Sequence, residues 1–128
     1  MKRIQMMLGA AAAAAMMVSC VQVPVSTGVQ HVVVVWLKKP GDGVDRERVV
    51  AASRAFRAIP GVRDLTVGTC VPGGRPIIDG TYDVAISMRF ADEAAMQAYV
   101  DHPDHKAAAE TIIKPLAKKV VVYDFRLR

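Results

Sequence analysis

The sequence predicts an α+β fold: a four-stranded antiparallel sheet with helices on one face, in the order β-α-β-β-α(α)-β. Three observations carry this expectation. Apolar segments of strand period alternate with segments of helical period along residues 30–127. Clusters at Pro40-Gly41, Pro60-Gly61 and Pro72-Gly73-Gly74 punctuate the boundaries between them. The first strand segment, finally, is apolar on both sides, so it demands cover on both.

That strand runs from Gln30 to Lys38 on Val32-Val33-Val34-Val35-Trp36-Leu37, and β-branched residues of this kind pack well on a pleated surface. Asp45 to Ala58 follows as a helix. Val49, Ala52, Phe56 and Ile59 form one stripe of helical period, while Arg46, Glu47, Arg48 and Arg57 stay largely off it. Pro60-Gly61 ends the helix. Val62 to Val71 is the second strand, and a loop from Pro72 to Gly80 leads to the third, Tyr82 to Phe90. There Tyr82, Val84, Ile86, Met88 and Phe90 share one face. Asp92 is placed to cap a short helix carrying Ala95, Met96, Tyr99 and Val100.

His102-Pro103 interrupts that helix, because a residue before proline avoids helical backbone. A new helix starts near Pro103 with an apolar stripe of His105, Ala108, Ala109, Ile112 and Leu116. Pro115 kinks it or nearly ends it. Val120 to Leu127 is the last strand. The order is the split β-α-β, ferredoxin-like pattern. Its helices cover one sheet face only, and a second sheet is the simplest cover for the other. The expected assembly is therefore a homodimer with its sheets face to face.

The N-terminus reads as an export signal over residues 1–19. Lys2 and Arg3 give a positive start, Ile4 to Met17 an alanine-rich apolar run, and Val18-Ser19-Cys20 a small-residue end. The run is about 15 residues, short of the ~20 that span a bilayer as a helix. Met17-Val18-Ser19-Cys20 resembles a bacterial lipobox, which implies acylation of Cys20 and a membrane anchor through lipid. Ordinary cleavage, leaving Cys20 a plain thiol, is the other reading. Residues 20–29 would then be a lipid-anchored tether and residues 30–128 the working domain. Val21 after the cysteine favours the periplasmic face of the outer membrane in a Gram-negative host. The 128 residues carry a formal charge of +5, of which Lys2 and Arg3 supply two in the signal. The remainder is too small, and too little interleaved with aromatics, for nucleic acid to be a partner.

The segment from Gln30 to Arg128 resembles the stress-responsive α/β-barrel (Dabb) domains, a branch of the dimeric α+β barrel superfamily. The matching residues are His31, Ile59-Pro60-Gly61-Val62, Val67-Gly68, Tyr82-Asp83 through Phe90, Tyr99, His102-Pro103-Asp104-His105 and Val122-Tyr123-Asp124-Phe125. The resemblance implies a homodimeric barrel. In a plant polyketide cyclase of this family, a tyrosine and a histidine spaced as Tyr99 and His105 carry an aldol condensation without cofactor. A histidine at the position of His31 lies in the same pocket.

Read from the residues, His105 lies on the inward stripe of its helix, Tyr99 faces the core from the preceding one, and His31 opens a strand beneath both. The three are the candidate ligand-binding set, with His105 as base and Tyr99 as oxyanion donor if the protein is an enzyme. A cavity larger than ~300 Å³ lined by them would favour binding or catalysis over a tightly packed structural dimerisation module. The competing expectation is structural: His102 caps the helix break, and His105 bonds a backbone carbonyl or Asp124. Histidines three apart across a proline rarely share a face, and no Cys or Glu completes a ligand set, so neither metal nor other cofactor is expected. The leading expectation is an envelope lipoprotein binding a small apolar ligand or acting in stress response. A cofactor-independent cyclase, isomerase or monooxygenase is the alternative.

Overall fold

The computed structural model describes Ser19 and residues 27–128. The expected signal over residues 1–19 and the acylation of Cys20 therefore fall, but for Ser19, outside the described residues. Among the described residues no helix is long and apolar enough to cross a membrane.

The chain folds as β1 (Val29–Leu37), α1 (Gly43–Ala55) closed by a 3₁₀ turn (Phe56–Ala58), β2 (Arg63–Thr69), β3 (Val84–Phe90), α2 (Glu93–Asp101), α3 (Pro103–Ala108), a π turn (Ala109–Ile113), α4 (Lys114–Leu116) and β4 (Ala117–Arg126). The sheet is antiparallel in the order β2-β3-β1-β4, with the helices on one face. This is the expected fold class.

Local chemistry sets each helix start. The Asp42 carboxylate accepts from the Asp45 N–H at 2.8 Å, and the Asp92 carboxylate from the Ala95 N–H at the same distance, each satisfying a donor the first turn leaves free. His102 is extended and its Nδ1 accepts from the Asp104 N–H at 3.2 Å, so it ends α2 and caps α3. Asp83 is buried because its two oxygens receive the Leu37 and Gly41 N–H groups, tying the end of β1 to the loop that follows.

Alternation then builds the core. Val84, Ile86, Met88 and Phe90 of β3 are all buried against Val49, Phe56 and Ile59 of the α1 stripe. Each such side chain taken out of water contributes about 1.5–3 kcal/mol. The opposite face presents Val32, Val34 and Trp36 of β1 beside Val121, Tyr123 and Phe125 of β4, with Val32 facing Tyr123 and Val34 facing Val121 across the ladder. Among the described residues no helix covers it, and Tyr123 and Phe125 are more than half exposed in the single chain.

Two expectations need correction. β4 begins at Ala117, three residues earlier than Val120, because the ladder accommodates an extra residue where Leu37 pairs with Ala117 while Trp36 pairs with Lys119. The last helix is not one α-helical stripe. The Lys114 N–H bonds the Ala109 carbonyl, five residues back, just before Pro115, which has no N–H to give. That wide turn adds a residue to the helix, and Ile113 takes the buried place expected for Ile112.

Candidate functional site: a cavity between α3 and the β1–β4 ladder

Where the π turn passes over β1 and β4, the helix layer and the sheet do not close on each other. A cavity of about 400 Å³ remains. His31, Tyr99 and His105 line it together with Asp124, and Val33, Val122 and Ile113 supply apolar wall. The three residues singled out in the sequence thus meet around one space. His102 does not join them: it is spent on the helix cap. Cys70 lies elsewhere, half-buried, and among the described residues it is a free thiol.

Tyr99 is the centre of the arrangement. Its ring lies 4.5 Å from that of His105, 5.1 Å from Phe90, 5.7 Å from His31 and 5.8 Å from Phe56, centroid to centroid. The side chain is 1 % exposed. Burial raises the pKa of its phenol well above the usual tyrosine value, so the hydroxyl remains a hydrogen-bond donor throughout the neutral range.

His105 is held from its own chain. Its Nδ1 lies 3.0 Å from the Val100 carbonyl, which can only accept, so the proton is assigned to Nδ1 and the lone pair of the neutral ring to Nε2. Burial pushes the pKa of His105 below the ordinary histidine value against the opposing pull of the Val100 carbonyl, and His31 and Lys106 lower it further. A neutral imidazole with Nε2 unprotonated is the form that takes up a proton.

His31 has a different anchor. It is 5 % exposed, and its Nδ1 lies 2.5 Å from Oδ1 of Asp124 on the neighbouring strand. The register explains the contact, since His31 and Asp124 are direct cross-strand partners. The Asp124 partner considered for His105 thus belongs to His31, and the carbonyl alternative describes His105. Asp124 is the site residue that the sequence reading left without its role. The signal was present: it is the single acidic residue in the strand Val120-Val121-Val122-Tyr123-Asp124-Phe125.

Among the described residues no group of three or more His, Cys, Asp or Glu side chains is placed to hold a metal ion. What the site offers is a neutral imidazole, a buried phenol donor and a carboxylate-bound imidazole at one end of an apolar space. Such a set can orient an oxygen-bearing small molecule and move a proton next to a carbonyl.

The model of the stress-responsive A/B barrel domain matches residues 29–127, almost the whole described chain. The chain belongs to this Dabb family. An uncharacterized protein of Streptomyces coelicolor is 39% identical over 84 residues, 62% of this chain and 80% of that one. A Dabb-family crystal structure from Mesorhizobium loti with a ferredoxin-like fold is 33% identical, with a TM-score of 0.64 over 78% of this chain and 96% of that one. A dimeric ferredoxin-like protein of unknown function from Thermobifida fusca is 28% identical, with a TM-score of 0.64 over 79% of this chain and 92% of that one. The hydroxynitrile lyase of Passiflora edulis has the same fold at 18% identity, with a TM-score of 0.69 over 82% and 96% of the two chains.

Proposed function

We propose that this Dabb domain binds a small, largely apolar molecule in the cavity beneath α3, as a homodimer tethered to the cell envelope through lipid on Cys20. The observation that carries the binding reading is the cavity of about 400 Å³, a size typical of small-molecule sites, with the rings of His31 and His105 gathered around Tyr99. A stress-related role agrees with the family description. Thermal-shift screening of residues 27–128 against small apolar ketones, phenols and fatty acids tests it. Hits that disappear in Val122→Trp, a half-exposed wall position that a large ring would fill, support the reading. Hits that persist unchanged in that variant, or no hits at all, would sink it.

The homodimer is supported by the uncovered apolar sheet face and by the dimeric Thermobifida relative. A monomer in sedimentation at micromolar concentration contradicts it. The anchor rests on the lipobox resemblance alone. Labelled palmitate incorporated by the full chain in a Gram-negative host, and lost in Cys20→Ser, is the expected outcome; labelling that survives the substitution refutes it.

A second reading is favoured by the tautomer of His105. In it the domain is a cofactor-independent enzyme: Nε2 of His105 takes a proton from carbon next to a carbonyl, Tyr99 donates to the enolate oxygen, and His31, held by Asp124, orients the molecule. A hydroxynitrile lyase on the same fold is consistent with such use of the scaffold. Deuterium exchange into a β-diketone, followed by NMR, distinguishes binding from chemistry. Catalysis predicts acceleration by the wild type and none by His105→Ala; equal rates with both proteins leave binding alone.

A further inference from the structure

A second cavity, of about 500 Å³, lies where the turn leaving β1 meets the loop entering β3, at the other end of β1 from His31. Pro40, Arg46, Cys70, Pro72, Tyr82 and Asp83 stand in its wall, and it shares no lining residue with the cavity beneath α3. The function proposed above makes no use of it.

Arg46 is the unexplained member of this wall. It belongs to the first turns of α1, and its Nη2 lies 3.8 Å from the place that a Cβ on Gly43 would take. The acids around it are engaged elsewhere. Asp42 accepts from the Asp45 N–H at 2.8 Å, and Asp45 pairs with Arg48 at 3.6 Å. Asp83, in the same wall, divides its two oxygens between the Leu37 and Gly41 N–H groups, at 2.9 and 2.8 Å. Among the described residues no acid pairs with Arg46. Its Nε is shut off from solvent and has no hydrogen-bond partner. The guanidinium is therefore tucked into the cavity wall rather than extended into water, the usual resting place of a surface arginine. A cation held in this way, with one donor unmatched, calls for an acceptor from outside the chain.

We propose that this cavity is a second binding site, independent of the one beneath α3, and that it takes a small organic carboxylate. The Arg46 guanidinium donates to the carboxylate, whose planar pair of oxygens suits its fork of N–H groups. The rest of the molecule lies against Pro40, Pro72 and the Tyr82 ring, in a space larger than a bare ion fills. A single negative charge is favoured over the higher charge of a phosphate, because the Asp83 carboxylate shares the wall and repels in proportion.

NMR titration of the ¹⁵N-labelled full chain with benzoate, benzamide and inorganic phosphate at constant ionic strength tests this. The Arg46 Nε–H and the backbone N–H groups of Gly41 and Tyr82 are followed. Benzoate is expected to shift all three saturably, and to bind about tenfold tighter than benzamide, the scale of one charge-assisted hydrogen bond. Arg46→Gln should bring benzoate level with benzamide. Arg46→Lys, which keeps the charge without the fork, should retain part of the difference and so separates lost binding from a lost fold. Phosphate binding as tight as that of benzoate would overturn the carboxylate class. Shifts centred on Tyr99 and His105 instead would put benzoate beneath α3 and overturn the location. Linear, unsaturable shifts with every anion, or wild-type affinity in both variants, would show that water alone satisfies Arg46 and would overturn the site. None of these results bears on the cavity beneath α3, whose own test is the Val122→Trp screen.

Discussion

The two halves of the helix–sheet layer are built to different standards of packing. On one side, four buried positions of β3 share a single core cluster with Val49, Phe56 and Ile59 around α1. Under α3 and the π turn, the sheet offers Val120 and Val122, 40% and 47% exposed, and the helix side answers mainly with Ile113. The first half is a thirteen-residue helix with a capped start; the second is six residues, a π turn and three more before β4. Stability is concentrated on one side of β1 and space on the other. The difference teaches that the cavity coincides with the irregular part of the helix layer, where Ala109 and Ile113 of the π turn form part of its wall.

The contrast breaks most sharply in the core. Phe90→Ala removes a fully buried ring from the filled half and should cost about 3–5 kcal/mol, whereas Val122→Ala in the hollow half should cost under about 1 kcal/mol. Urea denaturation of residues 27–128 measures both. Comparable losses at the two positions would mean that the hollow half is as tightly packed as the other.

A smaller effect is expected from the polar end of the cavity. Asp124→Ala leaves the Nδ1 donor of a buried His31 without its partner, and such loss costs about 1–2 kcal/mol, the carboxylate's 40% exposure holding it to the low end. Asp124→Asn, which keeps an acceptor oxygen, should recover part of it. A cost no greater than that of Val122→Ala would show that water replaces Asp124 freely, and that His31 is not positioned by it.

The same division marks what could be read in the sequence. The filled half was legible because its signals are periodic: the α1 stripe and the alternation of β3 each name their inward residues without reference to anything distant. The hollow half was legible only in its parts. His31, Tyr99 and His105 could be placed on inward faces, yet Asp124 found its partner only through the β1–β4 register, which no local pattern specifies. The phase change that brings Ile113 inward comes from a backbone bond that skips five residues ahead of Pro115. A proline in a helical pattern announces an irregularity but not its kind. Lys114, in the cavity lining, carried no signal beyond that of an exposed lysine.

The smallest effect is also the one that isolates a single site group. In the folded chain the pKa of His105 lies below its ordinary value of 6.5, chiefly because burial disfavours the charged ring. Above pH 6.5 the ring is neutral in folded and unfolded chains alike, and its contribution to stability is fully present. As pH falls below that value the unfolded chain takes up a proton that the folded chain still refuses, so stability declines until the folded ring is protonated in its turn. Other groups titrate in the same range, and the quantity to compare is the difference between wild type and His105→Gln. Chemical denaturation at a series of pH values should give curves that run parallel above neutrality and converge as the medium is acidified, because only the wild type loses this contribution. If the two remain parallel throughout, the ring is as well solvated as a free histidine, and the hollow half of the layer is open to water at the position where a proton-accepting nitrogen was placed.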